Sequence, residues 1–528
     1  MDRLNEIFKT CESDEYNIDE FKIADEEYFN CLFEKIKNGE PIDLSYTYFN
    51  GFPLDKYRKK NNINKTDIIR IKIDNAMFAV FDSSVNRVDF SWVEFEANDD
   101  IAGIAFNNSI FYGNEIDFSY SLFNGVDLCF DECFFVDTKL LLVYCSGIKN
   151  LSFIKAKKTN TEFTLVGTEI YEDLCFSGLI SKHTHDNKSS LIWLEKNTFK
   201  NSSIIFEGNE FDNLNDFVIF VDNKFDLKTF SIRGSNFKWL VFYSCYFDSK
   251  VEILDCNIEY FIIQSCIMRD VFKIKHEETP LHSNTKFCFL DTIFNGYFDM
   301  DNIIDNNFLK NQKKLVINDY DSYGGQYCNV HFIFDDTSYL EKSIQTNNLS
   351  EIYSANGKSK QQDKTYSLYR RYKNIYRVEE ELYCIKSIKL MNDFSLIKKT
   401  GLYLRFSLSL IVSFILFLIE FILFDVICGN YATNPIKFFI SLVGIIFGFA
   451  FAINLNFDLS SLELSVAIPE GMGDFLKSLL ISTTNFFQID LLDKINNLGL
   501  YVISLVEKIL GIIVLAMFSV SYTRKIIK

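Results

Sequence analysis

The segment ISTTNFFQID, residues 481–490, stands between two apolar runs and is crowded with oxygen-bearing groups. Hydroxyls, amides and carbonyls at such a place could replace the water around an ion. The candidate pore-loop residues are Thr483, Thr484, Asn485, Phe486, Phe487, Gln488 and Asp490. Thr484, Asn485 and Gln488 could line a passage, while Phe486 and Phe487 could form a hydrophobic gate or simply pack. A closed hairpin whose polar groups bond one another is the other arrangement open to these residues. Three acids, Glu420, Asp425 and Glu507, fall within apolar stretches, where an ionised side chain is costly. Covalent chemistry finds no such support. There is no nucleophile beside a base, no glycine-rich phosphate cradle after a strand and no cluster of metal ligands. His276 and His282 stand apart, and His183-Thr184-His185-Asp186 sits in the polar insertion SKHTHDNKSS. We therefore expect neither an enzyme nor a cofactor.

The elements that would position this segment are helical. Three stretches, 402–428, 435–453 and 498–522, are apolar enough to be considered as membrane spans, which need about 20 apolar residues each. Lys398, Lys399 and Arg405 lie at the start of the first, and Arg524, Lys525 and Lys528 follow the last. Basic residues at span ends favour the cytoplasm, so both ends are expected there and an even number of crossings follows. Glu420 and Asp425 make the first run the one to be interfacial or re-entrant, leaving two crossings; three crossings, with one end set against its charges, is the alternative. Lipid is the first expected partner, and the membrane domain is 398–528 with a hairpin at 473–490.

The order of apolar run, hairpin and apolar run resembles the two-helix potassium-channel module, with Gly511 where a helix hinge stands in that family. That resemblance implies an oligomer, four chains by analogy. The filter departs from the family's Thr-Thr-x-Gly-Tyr-Gly-Asp. Residues 483–490 contain no glycine, which supplies backbone dihedrals other residues disfavour, so the usual potassium mechanism is not expected.

The rest of the chain is different in kind. The whole carries a net charge of −17. From residue 398 onward there are 10 basic and 9 acidic residues, so the first 397 hold 54 − 10 = 44 basic and 71 − 9 = 62 acidic. An acidic soluble part argues against nucleic acid as a partner. Thirteen cysteines with no Cys-x-x-Cys read as free thiols in a reducing compartment.

Fifty-five phenylalanines are the compositional anomaly, and many are five residues apart. Phe90 and Phe95, Phe106 and Phe111, Phe118 and Phe123, then Phe220, Phe225, Phe230 and Phe237, Phe242, Phe247 keep that spacing. Neither a helix nor a plain strand holds one side at a period of five; a coil of short strands with a corner every five residues does. IDLSYTYFNG, VDFSWVEF and IDFSYSLFNGVDLCF resemble pentapeptide-repeat proteins. The resemblance implies a right-handed quadrilateral β-helix with four pentads per coil and the large residue stacked inside. At about 20 residues per coil and the ~4.8 Å spacing of strands, a rod on the order of 60 to 70 Å is expected. Irregular or widened coils are expected at 135–200 and 275–335, and Cys245, Cys256 and Cys266 in one inward column.

The predicted organisation is an N-terminal helical cap (1–41), the β-solenoid (42–335), a polar linker (336–366), an amphipathic connecting helix (367–397) bearing Tyr369, Tyr372, Tyr376 and Tyr383, and the helical transmembrane domain. The functional expectation is a channel-like, multi-pass protein of a prokaryotic inner membrane, with its cytoplasmic solenoid acting as sensor or as platform for a protein partner. A membrane-tethered scaffold without conduction is the alternative.

Overall fold

The structure, a computed structural model, describes residues 2–11, 17–97, 103–182, 190–211, 216–275, 285–300, 313–317, 332–390, 396–422, 435–457, 473–489 and 498–526. It divides into two compact units, Met1–Thr337 and Ser338–Lys528. His183, His185, His276, His282, Asp425 and Asp490 lie outside the described residues.

The first unit is a four-sided parallel β-solenoid. A single coil shows how the sides arise: Gly103–Ala105, Ile110–Tyr112, Glu115–Asp117 and the start of Leu122–Cys129 are short strands separated by corners. Each pairs in parallel with its counterpart in the next coil, Ile104 with Leu128, Ile110 with Phe134, Ile116 with Leu140 and Leu122 with Ser146. Along one side the partners run Lys22, Thr47, then Tyr48, Val80, Ile110, Phe134, Lys157, Ile180, Glu210, Asn236 and Asn257. The step from coil to coil is 32 residues from Tyr48 to Val80, 24 from Ile110 to Phe134 and 21 from Asn236 to Asn257. Every step exceeds the 20 residues of four plain pentads, so fewer coils fit into the same length of chain. About ten coils at ~4.8 Å give a stack of roughly 50 Å, shorter than the sequence spacing predicts.

Successive coils place like side chains over one another. On this side the inward column reads Phe49, Phe81, Phe111, Phe135, Lys158, Ser181, Phe211, Phe237 and Ile258. The rings stack nearly parallel, 5.1 Å between Phe49 and Phe81, 5.3 Å between Phe81 and Phe111 and 5.0 Å between Phe111 and Phe135. A second column runs Phe106, Phe130, Phe153, Phe176 and Phe206. The ring spacing matches the rise between coils, which is why the same large residue recurs.

Corners are built from two residues. The first adopts left-handed backbone, as at Tyr120, Tyr144, Asp222, Ser244 and Ser265. The second is small, points inward and donates to a carbonyl one coil below. Ser121 donates to Phe90 at 2.8 Å, Thr168 to Leu142 at 2.6 Å, Asn223 to Leu194 at 2.7 Å and Thr292 to Ile263 at 2.9 Å. Cys145, Cys245 and Cys266 occupy the same corner, and burial pushes the Cys145 thiol up to about 12, so it stays a donor. Cys256 does not share that column: it follows Ser235 in another corner, so the three cysteines form two columns rather than one.

The stretch expected to be irregular or widened from 135 is widened but evenly paired up to Ile180, with Phe134, Lys157 and Ile180 stepping by 23 and 23, and the step from Ile180 to Glu210 widens to 30. Its motif is hidden because its outer face is buried as well. Leu141, Val143, Val166, Trp193, Ile219, Val241 and Ile262 form an apolar layer on the outside of one side. Strands buried on both faces read as continuous apolar runs such as KLLLV and DFVIFV, not as pentads. Among the described residues the parallel coils end at Met300. The strands Lys313–Ile317 and Phe332–Asp336 pair antiparallel instead of extending the solenoid to 335.

At the other end α1 (Asp2–Cys11) lays Leu4, Ile7 and Phe8 on the outward residues Tyr48, Val80 and Ile110. Only α2 (Glu26–Asn38) meets the end of the stack, through Phe29 against Phe49 and Phe52. The predicted cap is therefore partly solenoid already, since Lys22–Ile23 pairs with Thr47–Tyr48. A short helix, α3 (Leu54–Lys60), leaves the second coil, and its buried Arg58 donates to the carbonyls of Asn64, Ser91 and Trp92.

The second unit is helical. The stretch predicted as a polar linker is α4 (Tyr339–Ala355), started by a capping box in which Ser338 and Glu341 bond each other's backbone amides. It turns at Asn356-Gly357 into α5 (Ser359–Leu390), a helix longer than the predicted 367–397 at its start. Then follow α6 (Leu396–Glu420), α7 (Pro435–Asn456), α8 (Asp474–Phe486) and α9 (Leu498–Ile526). Among the described residues α6, α7 and α9 are long and apolar enough to cross a membrane.

All three tryptophans, Trp92, Trp193 and Trp239, lie in the solenoid, so their fluorescence reports its unfolding alone. Phe130→Ala, in the middle of a ring column with Phe106 at 5.4 Å and Phe153 at 5.2 Å, is expected to lower its stability to denaturant by about 3–5 kcal/mol.

Lys158 supplies a pH signature. It is fully buried in a phenylalanine column, its Nζ 4.9 Å from the Phe211 ring and without a hydrogen-bond partner. Burial pushes its pKa down from 10.5 to about 8 against the opposing pull of Asp216. Between these values the unfolded chain holds the extra proton, so stability rises with pH from about 8 to 10.5, by a total of about 3 kcal/mol, and is flat below 8 with respect to this group. Lys158→Met is expected to abolish that rise and to stabilise the solenoid at pH 7 in the same denaturant titration.

Candidate functional site

The helix α8 carries residues 481–486 of the polar segment 481–490. Gly473 starts it without a side-chain cap, and Asp474 lies in its first turn, where a negative charge suits the helix dipole. Its hydroxyls satisfy themselves locally. Ser478 donates to the carbonyl of Asp474 at 3.0 Å, Thr483 to Leu479 at 2.7 Å and Thr484 to Leu480 at 2.9 Å.

One stripe of α8 is buried: Ser478, Ile481, Ser482, Asn485 and Phe486, at spacings of three, one, three and one. The stripe lies between α7 and α9. Phe486 packs with Phe438 and Ile446 of α7 and Val514 of α9, and Ile481 packs with Ile453 and Leu500. Between these two apolar clusters sits a polar one. Ser482 Oγ lies 2.8 Å from the Ile446 carbonyl and hydrogen-bonds Glu507. Asn485 Nδ2 donates to Ser504 Oγ at 3.1 Å and reaches Glu507 Oε2 at 3.5 Å. Glu507 is completely buried, and Ser482 and Asn485, which bond it, both belong to α8.

The end of α8 is closed as well. The amides of Phe487, Gln488 and Ile489 donate to the carbonyls of Thr483, Asn485 and Thr484 at 3.2, 3.1 and 2.8 Å. Gln488 takes left-handed backbone, φ 64°, as a helix-terminating residue, and its side-chain amide donates to the Lys508 carbonyl at 2.7 Å. A filter of the potassium type requires carbonyls free to face an ion. Here the carbonyls of Thr483, Thr484 and Asn485 are engaged within their own chain. Phe487 is nearly half exposed, while Phe486 is buried.

Gly511, expected as a hinge, lies within the continuous helix α9. A Cβ placed on it would stand 2.3 Å from the Phe486 carbonyl oxygen and 3.1 Å from its carbon. The glycine therefore permits the end of α8 to rest directly on α9.

Glu420 is in a different setting. It ends α6 and faces α5, where Arg377 lies 3.3 Å and Arg370 3.6 Å from its carboxylate. Further along the same seam Ser409 donates to Glu381 at 2.6 Å. Of the α5 tyrosines, Tyr372 meets Tyr339 of α4 with ring centroids 6.0 Å apart, and Tyr383 is mostly exposed.

Ser482 and Ser504, the partners of Glu507 and Asn485, were not singled out from sequence. Their signal was present in spacing: 478, 482 and 485 on one helix, 504, 507 and 511 on the other, each a stripe of small or polar residues at helical intervals. Among the described residues no group of His, Cys, Asp and Glu is arranged to hold a metal ion. Comparison with protein-family models, characterised proteins and solved structures returns no match for this chain. The class the geometry defines is a membrane-associated solenoid protein: a β-solenoid unit and a helical unit with three apolar helices.

Two substitutions test how α8 is held. Gly511→Val is expected to accelerate amide hydrogen exchange across 478–486 by at least about tenfold in detergent-solubilised protein. Glu507→Ala is expected to do the same, because Ser482 and Asn485 lose a buried partner, at about 1–3 kcal/mol, whereas Glu507→Gln, which keeps both bonds, changes exchange little.

Proposed function

We propose that this chain is a membrane-tethered scaffold related to the pentapeptide-repeat proteins. Its helical unit is an anchor that keeps the outline of a channel subunit without conducting, and its solenoid is a platform for a protein partner at the cytoplasmic face. The observation that carries the reading is the closure of residues 481–489. The carbonyls of Thr483, Thr484 and Asn485 are bonded to amides at the end of α8, and Ser482, Asn485 and Gln488 are bonded to α7 and α9. Polar groups so satisfied are stable away from water and offer nothing to an ion.

The solenoid supports the second half of the reading. Stacked coils offer long regular surfaces, and here charges are lined up between coils. Arg70 pairs with Glu94, Lys139 with Glu162, Lys273 with Glu252 and Lys286 with Glu259. Pairs at or near the surface contribute little to stability; these leave a patterned surface on an acidic unit.

A channel-like oligomer is favoured by a separate observation, the seating of a short buried helix between two long apolar ones with Gly511 admitting its end. Planar-bilayer recording of the purified full-length protein under salt gradients separates the two. Silence from correctly inserted protein is the expected outcome; reproducible unitary steps that vanish when 481–490 is replaced would establish conduction instead.

A further inference from the structure

We infer that α6 does not cross the membrane, and that α5 and α6 together form a hairpin lying in the plane of the lipid interface. The inference deepens the tethered reading and rests on the chain being a membrane protein. Its ground is the seam between the two helices. From Arg370 to Glu381 is eleven residues on α5, and from Ser409 to Glu420 is eleven on α6. The contacts Arg370–Glu420 and Glu381–Ser409 therefore hold the helices antiparallel and in register over about 16 Å.

The covered residues of α6 extend that seam. Leu402, Phe406, Ser409, Ser413, Phe417 and Glu420 recur at intervals of three and four and are partly or wholly shielded, while the residues between them are exposed except Tyr403 and Leu410. From 402 to 420 is about 27 Å of helix, close to the ~30 Å hydrocarbon thickness. A crossing α6 would thus carry α5 beside it through the bilayer. Along this stretch α5 bears Arg370, Arg371, Lys373, Arg377, Glu379, Glu380 and Glu381. Charges of that number are not carried into hydrocarbon.

Lying flat, the pair meets both solvents. Leu404, Ile411, Ile415 and Ile422 form a stripe on α6, each about half exposed or more, and can enter the acyl region. The polar α5 stays toward water. Lys398, Lys399 and Arg405 on α6 suit the anionic headgroups of a cytoplasmic leaflet. The occupant of this apolar face is thus the bilayer into which α7 and α9 are long enough to insert.

The test is depth measured by spin labels on the full-length protein in proteoliposomes containing anionic lipid, with Leu404→Cys, Ile411→Cys, Ile415→Cys and Ile422→Cys examined one at a time. Equal shallow depth at all four, with residue 422 on the same side of the vesicle as a label at Ser359→Cys, is expected. Labels at 411 and 415 near the midplane, with 404 and 422 at opposite surfaces, would overturn the inference. Neither result depends on whether the protein conducts, so the tethered reading and this one fail separately.

Discussion

In a parallel coil each strand gives its amides and carbonyls to the coils above and below, and this one constraint sets the spacing for everything else in the solenoid. Coils must rise by the distance between strands, and whatever side chain points inward is followed by another directly over it at that distance. A flat ring tolerates this repetition better than a branched chain, because rings about 5 Å apart stack face over face. The ring pairs from Phe49 to Phe153 show that spacing. The corners obey the same constraint. An inward carbonyl that would be orphaned where a strand bends is met by a serine, threonine, asparagine or cysteine of the coil above, a donor short enough to fit the angle.

Where that constraint acts alone, it was legible. The five-residue spacing of Phe90, Phe95, Phe106, Phe111, Phe118 and Phe123 points to a stacked coil of short strands, and the resemblance to pentapeptide-repeat proteins implies its four sides. It was hidden where a second demand was laid over it. Around Leu141, Trp193, Ile219 and Val241 the strands bury their outer face too, so apolar residues fill both registers and the pentad disappears. Lys158 hid another coil, since no inward-facing lysine is expected in a column of phenylalanines. Coil length was the quantity least readable: a corner absorbs extra residues without disturbing the stack, which is how steps of 21 and 32 coexist.

The helical unit depends on a different constraint, that no polar group be left alone where water is absent. It accounts for the back-bonded hydroxyls of Thr483 and Thr484 and for the joining of Ser482, Asn485, Ser504 and Glu507. From sequence the polar residues of 481–490 were visible but not their direction. Two outcomes, facing a passage or facing one another, are separated by which side of α8 they occupy, and that depends on partners 19 to 36 residues away. Gly511 was likewise visible as a special position. Its neighbour was not, because a close approach of helices is recorded on two segments and announced by only one.

The same constraint links the two acids to opposite fates. Glu507 is completely buried and met by a hydroxyl and an amide donor of α8, with no cation among these partners. Glu420 is met by two guanidinium groups, and each of these belongs to a helix that carries further charges on every turn. An acid paired in that way brings its partner's water with it. Hydropathy alone grades α6 and α9 as equals; what distinguishes them is the company their acids keep.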